Sequence, residues 1–169
     1  MIRLFGVKTE QNESKETARR LLAFAAFRTW GWAELPPMER GEKGKPFFPD
    51  HPARRFNLSH TGGVALCALS DEGEVGVDVD LVRPRRETLP AYVMSESELA
   101  AFDGSWAEFY RIWTLKEAYV KYLGGAIYSP RAVPAPPPVP HRTDAGEGGQ
   151  AALCGTGELP EEIEWIEIP

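Results

Sequence analysis

Four side chains in two segments carry the chemistry this sequence could do. The run "GEVGVDVD", residues 73–80, sets Asp78 and Asp80 at alternate positions among valines and glycines. Read as a strand, it sends Val75, Val77 and Val79 to one face and Glu74, Gly76, Asp78 and Asp80 to the other. Aspartate is depleted in strands, and two carboxylates at this spacing lie roughly 7 Å apart and repel. Further along, Phe109, Trp113, Glu117 and Lys121 recur every fourth residue, so a helix lines them up as one stripe. In isolation the aspartates read as the wet face of a half-exposed strand. The Glu–Lys pair alone reads as a solvated helix face worth about 0.3 kcal/mol. Together they offer two strand carboxylates and a third from a helix packed beside them. Hard cations such as Mg²⁺ favour oxygen ligands and commonly take one or two carboxylates plus phosphate oxygens. A cation would remove the repulsion, and Lys121, one turn beyond Glu117, would face the bound phosphate.

A second group is "FNLSHTGG", with Ser59 and His60 at the end of a strand run, just before glycines whose backbone could approach an anion. A β-turn with a capping serine accounts for the same residues. A Ser–His hydrolase does not, because neighbours on a strand point to opposite faces. Arg19, Arg20, Lys43, Lys45, Arg54 and Arg55 are the cationic clusters of the N-terminal half. They suit several phosphates or, equally, a solvated surface.

The elements that must position these groups follow from hydrophobic period and turn residues. "MIRLFGV" reads as a strand. "NESKETARRLLAFAAFRTWG" reads as a helix capped by Asn12 or Ser14 and ended by Gly31. Pro and Gly make "ELPPMERGEKGKPFFPDHPARR" a loop. "FNLSH", "VALCALS" and "EVGVDVD" are strand-like; "TGG" predicts a tight turn between the first two, and "SDEGE" a hairpin between the last two. Ser95 and Glu98 form a capping box for a short helix. A long helix over "WAEFYRIWTLKEAYVKYLGG" ends at a glycine pair. The proline-rich stretch from about residue 130 to 140 connects to a turn-like "TDAGEGGQ" and a terminal strand, "IEWIEI".

With 169 residues, 43% of them apolar, the chain can bury a sizeable core. A net charge of -6 argues against nucleic-acid binding through phosphate contacts. Cys67 and Cys154 show no metal-ligand or disulfide spacing. No signal peptide or long apolar run stands out, so the expectation is a cytoplasmic protein without a membrane span.

"GKPFFP", "FNLSHT", "VGVDVD" and "FYRIWTLKEAYVKYLGGA" occur in the order and at roughly the distances seen in 4′-phosphopantetheinyl transferases. The closer resemblance is to the surfactin-synthetase-activating type, over about Thr17 to Pro130. It implies an α+β fold of two similar small lobes, each a short antiparallel sheet on a long helix. Lobes over 1–80 and 81–169 are expected, the second one reduced. It implies transfer of the phosphopantetheine arm of coenzyme A to a serine of an apo carrier protein, assisted by Mg²⁺ or Mn²⁺, in a monomer. Asp78, Asp80 and Glu117 then match the metal ligands, and Glu117, Lys121 and Asp80 the catalytic set. Arg19, Lys45, Ser59, His60, Asp78, Lys116 and Lys121 match the coenzyme-binding positions, and Glu98 matches an acidic residue near the metal. A non-catalytic relative that binds coenzyme A or a carrier protein is the alternative. A Mg²⁺-dependent phosphohydrolase would explain the acids but not the other motifs.

Overall fold

The valines of "GEVGVDVD" face inward because two sheets close on them. The computed structural model describes residues 1–9, 14–125, 129–146 and 149–168. Along the chain run β1 (Ile2–Lys8), α1 (Ser14–Trp30), β2 (Glu39–Arg40), β3 (Pro46–Phe47), β4 (Arg55–Thr61), β5 (Val64–Ser70) and β6 (Val75–Leu81). Then follow α2 (Leu89–Val93), α3 (Glu96–Ala101), α4 (Trp106–Tyr122), a 3₁₀ turn (Pro130–Ala132), β7 (His141–Gly146), β8 (Gly149–Gly155) and β9 (Glu164–Trp165). The first sheet has the order β4-β5-β1-β9, and a second has β6-β8-β7. Asn12 and the side chain of Ser14, the expected caps of α1, lie outside the described residues.

The two halves repeat one plan. A strand, a 17-residue helix and a hairpin follow in order, and the second hairpin strand pairs antiparallel with the first strand of its half. The layers are α1, first sheet, second sheet, α4. Phe5, Val7, Ala65, Cys67 and Leu69 pack with Leu21, Leu22 and Ala25 of α1. The opposite face of the same sheet, with Ile2, Leu4, Leu66 and Ala68, packs on Val75, Val77, Val79, Ala151 and Leu153. Beyond it, Ala152 and Cys154 meet Leu115 and Ala118 of α4. Each fully buried aliphatic side chain in these layers contributes about 1.5–3 kcal/mol. Among the described residues both cysteines are free and buried.

Three expectations need correction. "SDEGE" does not make a hairpin: β6 leaves β5 and pairs along its whole length with β8, because its valine face is buried between the sheets. The segment read as turn-like holds the end of β7 and the start of β8, so strands do complete the second sheet. The terminal strand is only two residues long and joins β1 in parallel, at Phe5 and Gly6 of the first half. The β4–β5 connection is the tight turn expected, with Gly63 at φ 104, a conformation that favours glycine.

Candidate active site

The site forms where β6 has no backbone partner on one side. Its N–H groups are taken by side chains from β4: Val77 donates to Asn57 Oδ1 (2.8 Å) and Val79 to Ser59 Oγ (3.2 Å). Its carbonyls are taken by lysines: Val75 accepts from Lys45 Nζ (2.8 Å) and Val77 from Lys121 Nζ (3.2 Å). A buried strand edge needs such partners. Those carbonyls lie two residues apart on the same edge, so the two lysines meet β6 at successive points along it.

Helix α4 lies close over this strand because Gly76 has no side chain. A Cβ there would overlap the Ala118 carbonyl oxygen and the Tyr122 nitrogen. The close approach brings Glu117 and Lys121 over Asp78 and Asp80. Lys121 Nζ donates to Asp78 Oδ1 at 2.7 Å and to Ser59 Oγ at 3.3 Å. The Ser59 hydroxyl in turn donates to Asp78 Oδ1 at 3.0 Å. Asp80 Oδ1 accepts from the Leu81 N–H. Ser59, His60, Asp78, Asp80, Trp113, Glu117 and Lys121 all line one cavity of about 300 Å³.

The electrostatics are those of crowded acids. Burial raises the Asp78 carboxyl above its ordinary value; Lys121 and the Ser59 hydrogen bond oppose this, and the charge of Asp80 adds to it. Burial also raises Glu117, and the charges of Asp78 and Asp80 push the same way against Lys121. One lysine therefore stands among three carboxylates. The donor set is all oxygen, as a hard cation requires, and no hydrogen bond from another described residue engages Glu117. Among the described residues, no three His, Cys, Asp or Glu side chains are gathered tightly enough to hold a metal ion. The set suits such an ion by the chemistry of its oxygen donors, and Asp78 Oδ1 is taken by Lys121.

A second cavity, of about 500 Å³, continues along the same strand edge past Lys45, Arg55, Glu74 and Tyr122. Burial lowers the Lys45 ammonium, with Glu74 opposing. Three residues singled out in the sequence lie elsewhere. Lys116 is fully buried, bonded to Glu98 (2.7 Å), the Val93 carbonyl (3.1 Å) and the Pro130 carbonyl (2.8 Å). It ties α4 to α2, α3 and the 3₁₀ turn, with no ammonium left to reach a coenzyme. Glu98 is its partner and closes the capping box of α3, away from the acids. Arg19 is exposed on α1 and lines neither cavity. Conversely, Asn57 and Gly76 were passed over. A glycine inside an otherwise valine-rich strand was the available signal for Gly76, since it marks close backbone approach. Asn57 had none.

The α+β sandwich thus places an acid cluster at a strand edge that also carries Lys45 and Lys121. Residues 74–156, which contain the whole acid cluster, match the model of the 4′-phosphopantetheinyl transferase superfamily, and the chain belongs to that superfamily. It is 40% identical over 126 residues to the 4′-phosphopantetheinyl transferase AcpT of Escherichia coli K12, covering 70% of this chain and 65% of that protein. To AcpT of Salmonella typhimurium it is 45% identical over 101 residues, 56% of this chain and 53% of the relative. To the 4′-phosphopantetheinyl transferase Sfp of Bacillus subtilis strain 168 it is 31% identical over 94 residues, 53% of this chain and 42% of the relative. The matches thus span between about two fifths and two thirds of these curated relatives.

Proposed function

We propose that the chain transfers the 4′-phosphopantetheine arm of coenzyme A to a serine of an apo acyl or peptidyl carrier protein, releasing adenosine 3′,5′-bisphosphate. The meeting of Asp78, Asp80, Glu117 and Lys121 in one cavity, inside the segment that matches the family, supports this reading best. Asp78, Asp80 and Glu117 would hold Mg²⁺, or Mn²⁺ in its place. When bound, the cation neutralises charge on the diphosphate of the coenzyme.

The chain's own groups supply the rest. Lys45 and Lys121, spaced along the β6 edge, and Ser59 with His60 bind the phosphates. Glu117, whose carboxyl is raised by burial, accepts the proton of the incoming serine hydroxyl, directly or through a water. The serine oxygen then bonds to the phosphorus carrying the pantetheine, and the bond from that phosphorus to the bridging oxygen breaks. Lys121 offsets the charge that develops there. Trp113 and the cover of α4 limit water at the reacting atoms. As organisation we propose a coenzyme-phosphate side in the first half and a metal side in the second. A cytoplasmic monomer completes the proposal; among the described residues no helix is long and apolar enough to cross a membrane.

The test is to incubate the protein with Mg²⁺, coenzyme A and a panel of apo carrier proteins and to weigh the carriers. The expected result is a gain of the phosphopantetheine mass, abolished by Asp78→Ala. Coenzyme binding with no transfer to any carrier contradicts the enzyme and leaves a binding protein.

A further inference from the structure

The larger cavity is closed on itself by one carboxylate. Glu74 Oε2 lies 2.7 Å from Lys45 Nζ, and Glu74 Oε1 lies 3.2 Å from Arg55 Nε. Two cations forked around one carboxylate is also the arrangement that the oxygens of a phosphate would take. The partners differ in freedom. The Lys45 side chain is 14% exposed, and that of Glu74 is 40% exposed. Lys45 keeps a second anchor, the Val75 carbonyl at 2.8 Å, so it stays in place when the carboxylate leaves. Among the described residues the Glu74 carboxylate has no anchor besides Lys45 and Arg55, and it can turn out to water. The surrounding wall adds Lys43, Phe47 and Tyr122, a cation and two aromatic side chains suited to a nucleotide.

We propose that Glu74 is an internal stand-in for a phosphate monoester, which a nucleotide ligand must displace from Lys45 and Arg55. The proposal rests on the reading of the chain as a coenzyme A enzyme, in which the monoester is the 3′-phosphate. Glu74 is then a specificity-determining residue. It neutralises the two cations in the free protein, so only a dianionic phosphate competes well for them. Ligands without that phosphate gain nothing from the exchange.

Calorimetric titration at constant Mg²⁺ tests this with two probes, coenzyme A and dephospho-coenzyme A, which lacks the 3′-phosphate. Removing the internal competitor in Glu74→Gln should tighten coenzyme A binding about tenfold, while dephospho-coenzyme A changes by less than about twofold. Glu74→Ala should behave the same way and serves if the glutamine variant folds poorly. In a Lys45→Gln background the gain from Glu74→Gln should vanish, which a purely structural role of Glu74 would not produce. Unchanged or weaker coenzyme A binding in both Glu74 variants overturns the proposal, as does an equal gain for both probes. If the wild-type protein itself binds neither probe, the coenzyme A reading falls too; wild-type binding without any gain sinks Glu74 alone.

Discussion

The two halves share a plan and differ in what their first strand carries. In β1, both faces are apolar: Phe5 and Val7 meet α1, and Ile2 and Leu4 meet the other sheet. In β6, one face is the same kind of valine surface, but the face under the helix carries Gly76, Asp78 and Asp80. The glycines differ accordingly. A Cβ at Gly6 would press on the Ile163 Cγ2 methyl and the Trp165 ring edge at 2.8 Å, whereas one at Gly76 would strike the backbone of α4. One half uses its helix–strand contact as a core. The other gives up that core and turns the contact into a polar site, held by the sandwich on the strand's other face. A site of charged groups on rigid elements is the gain, and the desolvation of Asp78 and Glu117 is the cost.

Opposed substitutions in the two strands should separate these roles most sharply. Asp78→Asn keeps the shape and should lower transfer about 10³-fold with the protein folded at 25 °C, read by steady-state kinetics and circular dichroism. Phe5→Ala, on the matching strand, should instead cost about 3–5 kcal/mol in urea unfolding, with turnover per folded molecule changed less than about threefold. Equal losses of activity in the two would break the comparison.

The glycine pair comes next. Gly76→Ala must lift α4 from β6 and should cost about 2 kcal/mol of stability and about 100-fold in turnover. Gly6→Ala displaces only side chains, the Ile163 Cγ2 methyl and the Trp165 ring, and should cost about 1–2 kcal/mol with activity kept. A catalytically normal Gly76→Ala would show that the close packing of α4 is not what sets the acids.

The smallest expected effect is a pH dependence in the metal-free protein. Glu117 is raised by burial and by Asp78, so the folded state binds its proton more tightly than the unfolded chain. That contribution is fully present below the ordinary carboxylate pKa and is lost as pH rises through the folded value. Wild-type melting temperature should therefore fall relative to Glu117→Gln as pH rises from about 4 to 8. Parallel curves would mean the carboxyl is not perturbed. A further sharpening uses Lys116: Lys116→Met should reduce stability without changing the affinity for coenzyme A, since its ammonium is spent on Glu98 and two carbonyls.

The clustered acids were legible because they sit on two clean periods. Alternation put Asp78 and Asp80 on one face of β6, and fourfold spacing put Trp113, Glu117 and Lys121 on one stripe of α4. Periods say which way side chains point, and that sufficed here. They do not say which element lies opposite. The sequence therefore hid that β6 pairs with β8, some 70 residues away, and that the β4 edge meets β6 through Asn57 and Ser59 instead of a backbone ladder. Lys116 was misread for the same reason. It sits next to Glu117 in sequence, but 100° further around the helix it points into the packing of α2 and α3. The β7–β8 hairpin was missed because its turn-like residues, Gly and Asp, outweighed the short apolar run "AALC".

The central claim is that Asp78, Asp80 and Glu117 converge on one divalent cation that grips a diphosphate. Electron paramagnetic resonance of Mn²⁺ titrated into the protein with coenzyme A tests it directly. The account predicts one bound Mn²⁺ per chain, dependent on the coenzyme and weakened at least tenfold in Asp78→Asn and in Glu117→Gln. Mn²⁺ binding that is absent, or that is indifferent to both substitutions, would contradict it.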